Sequence, residues 1–247
     1  MRKTLKESKK KVTVMGILVK TFSLALKQYP RMNSVYDPST NPYEYTIHPS
    51  HNISIAIDSP NGLVVPHIKN VNNISLLNIQ TELERLRTLA SEAKLTAKEL
   101  QGGTICLSNI GTIGGTHACP LILPPQICIV AIGKLQTVPK YINGQLSERK
   151  VLNVSFGCDH RVVDGATVAR FSNAWKQLIE NPYLSMAEMI WLNLYHYDNP
   201  YLAFLSYKIW ILVGLEVGEH FLRQVRLLLS LSFKLSRKHR IPSELRS

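Results

Sequence analysis

The stretch CDHRVVDGA, Cys158–Ala166, decides the fold because it joins two segments of different periodicity. Residues 151–158 before it are rich in apolar side chains, which favours a strand that ends close to the histidine. Asp164 is of a type preferred at helix N-caps, and apolar side chains recur behind it at helical spacing as far as Pro182. The stretch is therefore predicted to be the turn between a strand and a helix.

A second unusual stretch, LSNIGTIGGT at Leu107–Thr116, lies upstream. It overlaps the end of a predicted strand, Thr104–Ser108, and contains too many glycines for a strand or a helix, so we expect a loop. Further along, Asn143-Gly144 is a strong hairpin signal between two strands. The second of these strands is predicted to run without a break to Cys158.

The remaining periodicity mixes helices with strands. Residues 14–29 carry apolar side chains at helical spacing and stop before Pro30, which predicts a buried helix. Residues 52–58 alternate isoleucines with smaller or polar residues, as half-buried strands do, and residues 127–134 are also strand-like. An amphipathic helix is predicted to begin at Ser75. The fold class is therefore α/β, of the α+β layered kind.

The bulk composition is that of a globular protein, with 45% hydrophobic and 19% charged residues in a chain of 247. The net charge of +12 would suit an anionic partner. Much of the excess lies at the two ends, in residues 1–11 and 234–246, while the middle is nearly balanced. Solvated termini are the preferred explanation, and no nucleic-acid partner is predicted.

The cysteines argue against a metal site. The chain contains Cys106, Cys119, Cys128 and Cys158. Their spacing includes no C-x-x-C pair, so zinc is not expected. A chain of this length does not need disulfides, and we expect buried free thiols in a reducing compartment.

Taken singly, the motif residues are weak signals. A histidine at the end of a strand is more often structural than catalytic. The glycine-rich loop lacks the G-x-G-x-x-G and G-K-[ST] spacings of nucleotide-binding loops. A serine hydrolase is disfavoured, because there is no G-x-S-x-G elbow and Asp164 follows His160 by only four positions.

Together, however, the two motifs resemble a known family. H-R-x-x-D-G after a strand, with S-N-x-G-x-x-G-G upstream, is similar to the acyltransferase component of the 2-oxoacid dehydrogenase complexes. The wider group includes chloramphenicol acetyltransferase. The resemblance covers residues 12–186 and extends to HNISIAIDSPNGLVVPHIKNV, LPPQ and ATVARFSNAWKQLIENP. It is strongest for the branched-chain type, with the pyruvate type next, and implies a chloramphenicol-acetyltransferase-like mixed sheet with helices.

The resemblance implies acyl transfer between the thiols of dihydrolipoamide and coenzyme A. A thiol with a pKa of about 8.5 is mostly protonated at neutral pH, so a general base assists its attack. His160 fits that role, which typically contributes about 10²- to 10⁴-fold. The Ser108 hydroxyl matches the family position that donates a hydrogen bond to the oxyanion, worth around 10²- to 10³-fold. Asp164 is the third catalytic candidate, unless it only caps the following helix.

Coenzyme A is expected as a substrate, with the lipoyl group on a partner or on a domain missing from this chain. The residues expected to bind the coenzyme or shape its loop are Asn109, Gly111, Gly114, Gly115 and Arg161. The glycines, including Gly165, are expected to allow tight turns and close backbone approach. For Arg161, the alternative to binding the coenzyme is a structural role.

The same resemblance implies a homo-oligomer built from trimers, with His160 of one chain facing Ser108 of the next. The implied partners are the decarboxylase-dehydrogenase and dihydrolipoamide dehydrogenase components of the complex. The implied location is the mitochondrial matrix, or the cytoplasm if the chain is bacterial. No transit peptide is legible in the sequence.

Three segments are expected along the chain. Residues 1–11 form a basic leader, expected to be disordered; residues 12–186 form the catalytic domain, which begins late relative to the family; and residues 187–247 form a hydrophobic and basic tail. The tail is interpreted as an interfacial helix, a membrane anchor or sequence from a wrongly assigned exon, the last being favoured over membrane contact. The alternative to an active enzyme is a truncated, non-catalytic remnant that only co-assembles with intact subunits.

Overall fold

The structure is a computed structural model that describes residues 12–36 and 44–194, with side chains as far as residue 189. The predicted leader and the tail beyond residue 194 lie outside the described residues. The chain divides into two compact units, Met1–Ser185 and Met186–Ser247, and the first is described below. Within the described ranges, the helices are all too short or too polar to cross a membrane.

The described residues form five α-helices and ten strands, and the strands come in two runs of five. The helices are α1 Val14–Gln28, α2 Leu76–Ser91, α3 Ala97–Leu100, α4 Gly165–Glu180 and α5 Pro182–Leu194. The strands are β1 Ser34–Tyr36, β2 Tyr45–Ile47, β3 Ile53–Ser59, β4 Gly62–Val64, β5 His67–Ile68, β6 Ile105–Asn109, β7 Cys128–Ile132, β8 Gln136–Ile142, β9 Gln145–Val151 and β10 Val154–Cys158.

The main sheet is mixed and has the strand order β10-β7-β6-β3-β4, with β5 also paired to β3. The three central strands β3, β6 and β7 are parallel, whereas β10, β4 and β5 run antiparallel to their neighbours. Every residue of β7 is buried, as expected for a central strand covered on both faces. This mixed sheet with helices confirms the predicted α/β layered class.

Helices α1 and α4 pack against each other through aromatic side chains. The Phe22 ring of α1 meets the Phe171 ring at 5.2 Å and the Trp175 ring at 4.9 Å, both edge to face. The Trp175 indole N–H donates a 3.0 Å hydrogen bond to the Thr21 hydroxyl, so the buried indole is not left unpaired. The buried helix predicted over residues 14–29 is confirmed.

The strand predicted to run unbroken from the hairpin to Cys158 was wrong. The structure has two strands here, because β9 pairs only with β8 in a separate two-stranded sheet while β10 joins β7 in the main sheet. Asn153 lies at the break. Its carbonyl accepts from the Gly133 N–H at 2.8 Å, and its side-chain amide donates to the Thr116 carbonyl at 3.3 Å.

Pro182 does end one helix, as predicted, but it also begins the next. Helix α4 stops at Glu180, and α5 starts at Pro182 and continues to Leu194. Proline is tolerated in the first helical turn because the N–H it lacks would have no partner there. The boundary expected between residues 186 and 187 therefore falls inside a helix.

Candidate functional site

His160 is exposed and lies in a turn, residues 159–163, which we name the His160 turn. The turn begins where the Asp159 N–H donates to the Ile127 carbonyl at 2.8 Å. The Arg161 guanidinium binds the Asp159 carboxylate through two nitrogens, the shorter contact being 2.6 Å. Its central carbon also lies 4.1 Å from the centre of the Tyr36 ring. Arg161 is thus engaged by protein groups on both sides.

The Asp159–Arg161 pair also changes the charge behaviour of the turn. Hydrogen bonds from Arg161 hold the pKa of the Asp159 carboxyl below its ordinary value, and the same contact raises the pKa of the Arg161 guanidinium. Both groups therefore stay ionised across the physiological range. The turn that carries His160 is held by this charge pair at its surface and by the buried side chains of Val162 and Val163.

Asp164 is the N-cap of α4. One of its carboxylate oxygens accepts from the Thr167 N–H at 2.7 Å, and the other accepts from the Thr167 hydroxyl at 2.9 Å. These hydrogen bonds lower the pKa of the carboxyl below its ordinary value. The capping role predicted for Asp164 is confirmed, and both oxygens are already occupied by it.

Ser108 is half-buried near the end of β6, between Ala56 of β3 and Ala131 of β7. We name residues 108–116 the Ser108 segment. Directly after Ser108, the Asn109 side-chain oxygen accepts from the Gly111 N–H at 3.1 Å and closes a short turn. Asn109 therefore stabilises the backbone turn of the Ser108 segment.

Three glycines of the Ser108 segment occupy positions where a side chain would be strained or would clash. A Cβ added at Gly111 would lie 2.5 Å from the Gly133 carbonyl oxygen, and Gly114 has a φ of +118°. A Cβ at Gly115 would lie 2.7 Å from the Ile110 side chain. At Gly165, in contrast, an added Cβ would meet nothing within 4 Å, so the close approach expected there was wrong.

The structure does not bring Ser108 and His160 together within one chain. In β7, Ala131 lies beside Ser108, whereas Cys128, at the other end of the strand, lies opposite Cys158. Three residues along β7 amount to about 10 Å, and crossing from β6 to β10 adds about 9 to 10 Å. Cys158 is therefore roughly 14 Å from Ser108, and the chain leads away from Ser108 as it continues into the His160 turn.

A cavity of about 620 Å³ lies elsewhere, beside the loop that contains LPPQ. Its lining includes His48, Gln101 and Pro124, and neither Ser108 nor His160 is part of it. The described residues also contain no group of three potential metal ligands. Ser108 and His160 thus lie towards opposite ends of β7, and neither lines this cavity.

Sequence analysis missed one close contact at this site. The sulfur atoms of Cys128 and Cys158 lie 2.9 Å apart across β7 and β10, although the spacing of the cysteines gave no sign of a pair. Of the four thiols expected to be buried, Cys106 and Cys128 are, Cys158 is half-buried and Cys119 is exposed. The expectation for Cys119 was wrong because the residue lies in an irregular loop and not in the sheet.

A buried polar group connects α1 to the start of β3, at the end of the parallel strands away from Ser108. His51 precedes β3, and its Nδ1 lies 2.8 Å from the Ser23 hydroxyl of α1. Burial, together with the positive charges of Lys27 and Lys20, lowers the pKa of His51 to about 4. His51 is therefore held neutral at physiological pH.

Solved structures share this fold. The cubic core of the pyruvate dehydrogenase multienzyme complex aligns with a TM-score of 0.67 and 33% identity, over 72% of this chain and 72% of that one. The dihydrolipoamide acetyltransferase of Azotobacter vinelandii aligns with a TM-score of 0.67 and 32% identity, over 72% of both chains. In that protein, a serine, a histidine and an asparagine have been investigated for their role in the catalytic mechanism. The fold and the paired motifs are those of a dihydrolipoamide acyltransferase core.

The chain belongs to the family of 2-oxoacid dehydrogenases acyltransferase (catalytic domain), whose model matches residues 1–187. This confirms the predicted resemblance. The bovine lipoamide acyltransferase component of the branched-chain alpha-keto acid dehydrogenase complex, a mitochondrial protein, is 44% identical over 180 residues, or 72% of this chain. The acetyltransferase component of a Mycoplasma capricolum pyruvate dehydrogenase complex is 35% identical over 174 residues, 70% of this chain and 39% of its own length. The chain spans 37% of the length of the bovine relative.

Proposed function

We propose that the protein transfers an acyl group between dihydrolipoamide and coenzyme A as part of a 2-oxoacid dehydrogenase complex. Membership of the acyltransferase family supports this activity. The branched-chain type is favoured over the pyruvate type, because the branched-chain relative is 44% identical and the pyruvate relative 35%.

The observation that carries the proposal is the position of Ser108 and His160 at opposite ends of β7. A base and an oxyanion donor must lie within hydrogen-bond reach of one reacting thioester. Ser108 lies roughly 14 Å from Cys158, and the chain leads further away from Ser108 to reach His160, so the two side chains cannot do so in one chain. We therefore infer that neighbouring copies in a trimer share the site, with His160 from one copy and Ser108 from the next.

The roles follow from the chemistry of the two side chains. The His160 imidazole takes the proton from the attacking thiol, and the Ser108 hydroxyl donates a hydrogen bond to the oxyanion that forms. In the Azotobacter protein, the serine, histidine and asparagine are spaced as Ser108, His160 and Asp164 are here, which supports this assignment. Asp164 stands where that protein has asparagine. Its carboxylate is occupied by the cap, so we assign it a positioning role through α4.

Coenzyme A is a substrate in this proposal, and the lipoyl group is carried outside the residues of this domain. Asn109 and the glycines of the Ser108 segment shape the backbone next to Ser108 and are the proposed contacts of the coenzyme. Arg161 is proposed to act through the His160 turn, because its guanidinium is already bound to Asp159 and Tyr36. No step of this mechanism needs a metal ion.

The proposed partners in the wider assembly follow from membership of the acyltransferase family. The decarboxylase-dehydrogenase component would load the lipoyl group and the dihydrolipoamide dehydrogenase component would reoxidise it. A mitochondrial location is supported by the names of the eukaryotic relatives that are 44% identical. In a bacterium, the same chain would work in the cytoplasm.

The test is complementation between two inactive chains. His160→Ala and Ser108→Ala chains are purified separately and then refolded together in equal amounts. If neighbours share the site, about one quarter of the interfaces in randomly mixed trimers pair an intact His160 with an intact Ser108, and that share of the activity should return. Acyl transfer from an acyl-CoA to dihydrolipoamide is the measurement.

The matched control is a mixture of the His160→Ala chain with a double variant that lacks both side chains. It should stay inactive, since no interface then holds an intact His160. Mixed trimers without recovered activity would overturn the shared site. An unmodified protein that forms trimers but transfers no acyl group would favour the alternative, a chain that only co-assembles with intact subunits.

A further inference from the structure

We propose that Cys128 and Cys158 form a reversible dithiol–disulfide site at the base of the His160 turn, which exchanges with small-molecule disulfides. The site is distinct from the acyl-transfer chemistry above. It lies in β7 and β10, and Cys158 is two residues before His160. The proposed substrates of the protein are themselves thiols.

The sheet register places the two cysteines where a cross-strand disulfide can form. Cys128 and Cys158 are directly opposite in the antiparallel pairing of β7 with β10. The neighbouring pair is hydrogen bonded, through the Asp159 N–H and the Ile127 carbonyl. Cys128 and Cys158 are therefore a non-hydrogen-bonded pair, in which Cα atoms are about 4.5 Å apart. Disulfides accept Cα separations of roughly 4.4 to 6.8 Å, and the two sulfur atoms are already 2.9 Å apart.

The two thiols differ in a way that sets the order of reaction. Cys158 is half-buried, and the hydrogen bond from Cys128 lowers the pKa of its thiol. Cys128 is buried, and that same hydrogen bond and its burial raise the pKa of its thiol. Cys158 is thus the thiol that meets a reagent from solvent, and Cys128 is the thiol that resolves the product.

The exchange proceeds in two balanced steps. The Cys158 thiolate attacks one sulfur of a small-molecule disulfide, forms a mixed disulfide and releases one small thiolate. The Cys128 thiol then loses its proton to that thiolate and attacks the Cys158 sulfur of the mixed disulfide. This expels the second small thiolate, which takes up from solvent the proton that Cys158 had lost. Two protein thiols are oxidised and one disulfide is reduced to two thiols, and a dithiol reductant reverses the reaction.

The experiment treats the full chain with oxidised glutathione, blocks the remaining thiols with an alkylating reagent and maps the cysteines by mass spectrometry. We expect a peptide that joins Cys128 to Cys158, and labelling of Cys158 reduced by about tenfold or more relative to untreated protein. Dithiothreitol should restore the labelling. A Cys158 that stays fully reduced while exposed Cys119 takes up glutathione would overturn the proposal.

Three variants check the order of attack. Cys128→Ser should trap glutathione on Cys158, because no resolving thiol remains. Cys158→Ser should leave Cys128 unmodified, because Cys128 is buried. Cys119→Ser should still form the Cys128–Cys158 bond. Glutathione on Cys128 of a Cys158→Ser chain with an unchanged melting temperature would contradict the assigned roles, and none of these readouts depends on acyl transfer.

Discussion

The His160 turn and the Ser108 segment are held in place by different kinds of interaction. In the His160 turn, Arg161 binds Asp159 and stacks on Tyr36, and Asp164 caps the helix that follows. In the Ser108 segment, backbone meets backbone so closely that Gly111 leaves no room for a Cβ. Exposed charges adjust easily, whereas close-packed backbone does not. Substitutions of the exposed residues of the His160 turn should therefore change activity more than stability, whereas replacing the close-packed Gly111 of the Ser108 segment should lower stability.

The largest expected effect comes from the histidine itself. His160→Ala should lower kcat/KM for acyl transfer by about a hundredfold or more, since the general base is lost. The thermal midpoint should stay unchanged, because His160 is exposed. His117→Ala removes another exposed histidine and should retain activity. Full activity of the His160→Ala protein would remove the basis for the proposed enzyme.

Gly111→Ala tests the Ser108 segment. The new Cβ would lie 2.5 Å from the Gly133 carbonyl oxygen, which forces two backbone segments apart. The free energy of unfolding should fall by about 3 kcal/mol. Gly165→Ala is the matched control, since its Cβ meets open space, and its stability should change by less than about 0.5 kcal/mol. Urea unfolding measures both, and equal stabilities would contradict the contrast between the two regions.

Buried His51, at the start of β3, should also give the protein a pH dependence of stability. The pKa of His51 is about 4 in the folded protein, so its imidazole stays neutral there. In the unfolded chain the same imidazole is protonated near pH 6.5. Below that pH the unfolded chain binds more protons, so the free energy of unfolding should fall as the pH drops, on the order of 2 kcal/mol between pH 7 and 5.

Replacing the imidazole should remove this part of the dependence. His51→Asn keeps a group that can bind Ser23 but does not titrate, so its stability should change less between pH 7 and pH 5 than that of the unmodified protein. Ser23→Ala should keep the pH dependence. Identical slopes for the His51→Asn and unmodified proteins would contradict the buried, neutral state of His51.

The smallest expected effect comes from the charge pair of the His160 turn. Arg161→Gln should lower the turnover number by about five- to tenfold, because the turn is less well positioned. The free energy of unfolding should change little, since the Arg161 side chain is exposed and solvent screens its charge. Arg161→Lys keeps the charge without the planar fork and should restore only part of the rate.

The matched control for this prediction is Arg85→Gln, which breaks another exposed ion pair, with Glu82. It should leave the turnover number unchanged. The Arg161→Gln effect should appear in kcat more than in KM, as expected for a positioning residue. A loss confined to KM would instead indicate that Arg161 contacts a substrate directly.

Local features of the fold could be predicted from the sequence because neighbouring residues determine them. The helix over residues 14–28 follows from its apolar spacing, and α4 begins behind Asp164 because an aspartate can accept the free N–H groups of the first turn. The His160 turn was also located correctly between a strand and that helix. In each case the decisive interactions lie within a few positions of each other.

Strand order could not be predicted in the same way. The break between β9 and β10 exists because the two strands pair with different partners, and nothing within residues 145–158 distinguishes those partners. The separation of Ser108 from His160 depends on β7 lying between their strands. The contact of Cys128 with Cys158 depends on the register of the same pairing. These pairings join residues that are far apart in the sequence, so the periodicity and spacing of residues do not predict them.

The parallel pairing of β3 with β6 also governs the time course of folding. Ile53 must reach Ile105 across a long segment that contains α2, whereas Ile132 reaches Val154 across one hairpin. Closing the longer loop costs more entropy before any contact compensates for it. We therefore expect β7 and β10 to pair before β6 joins β3.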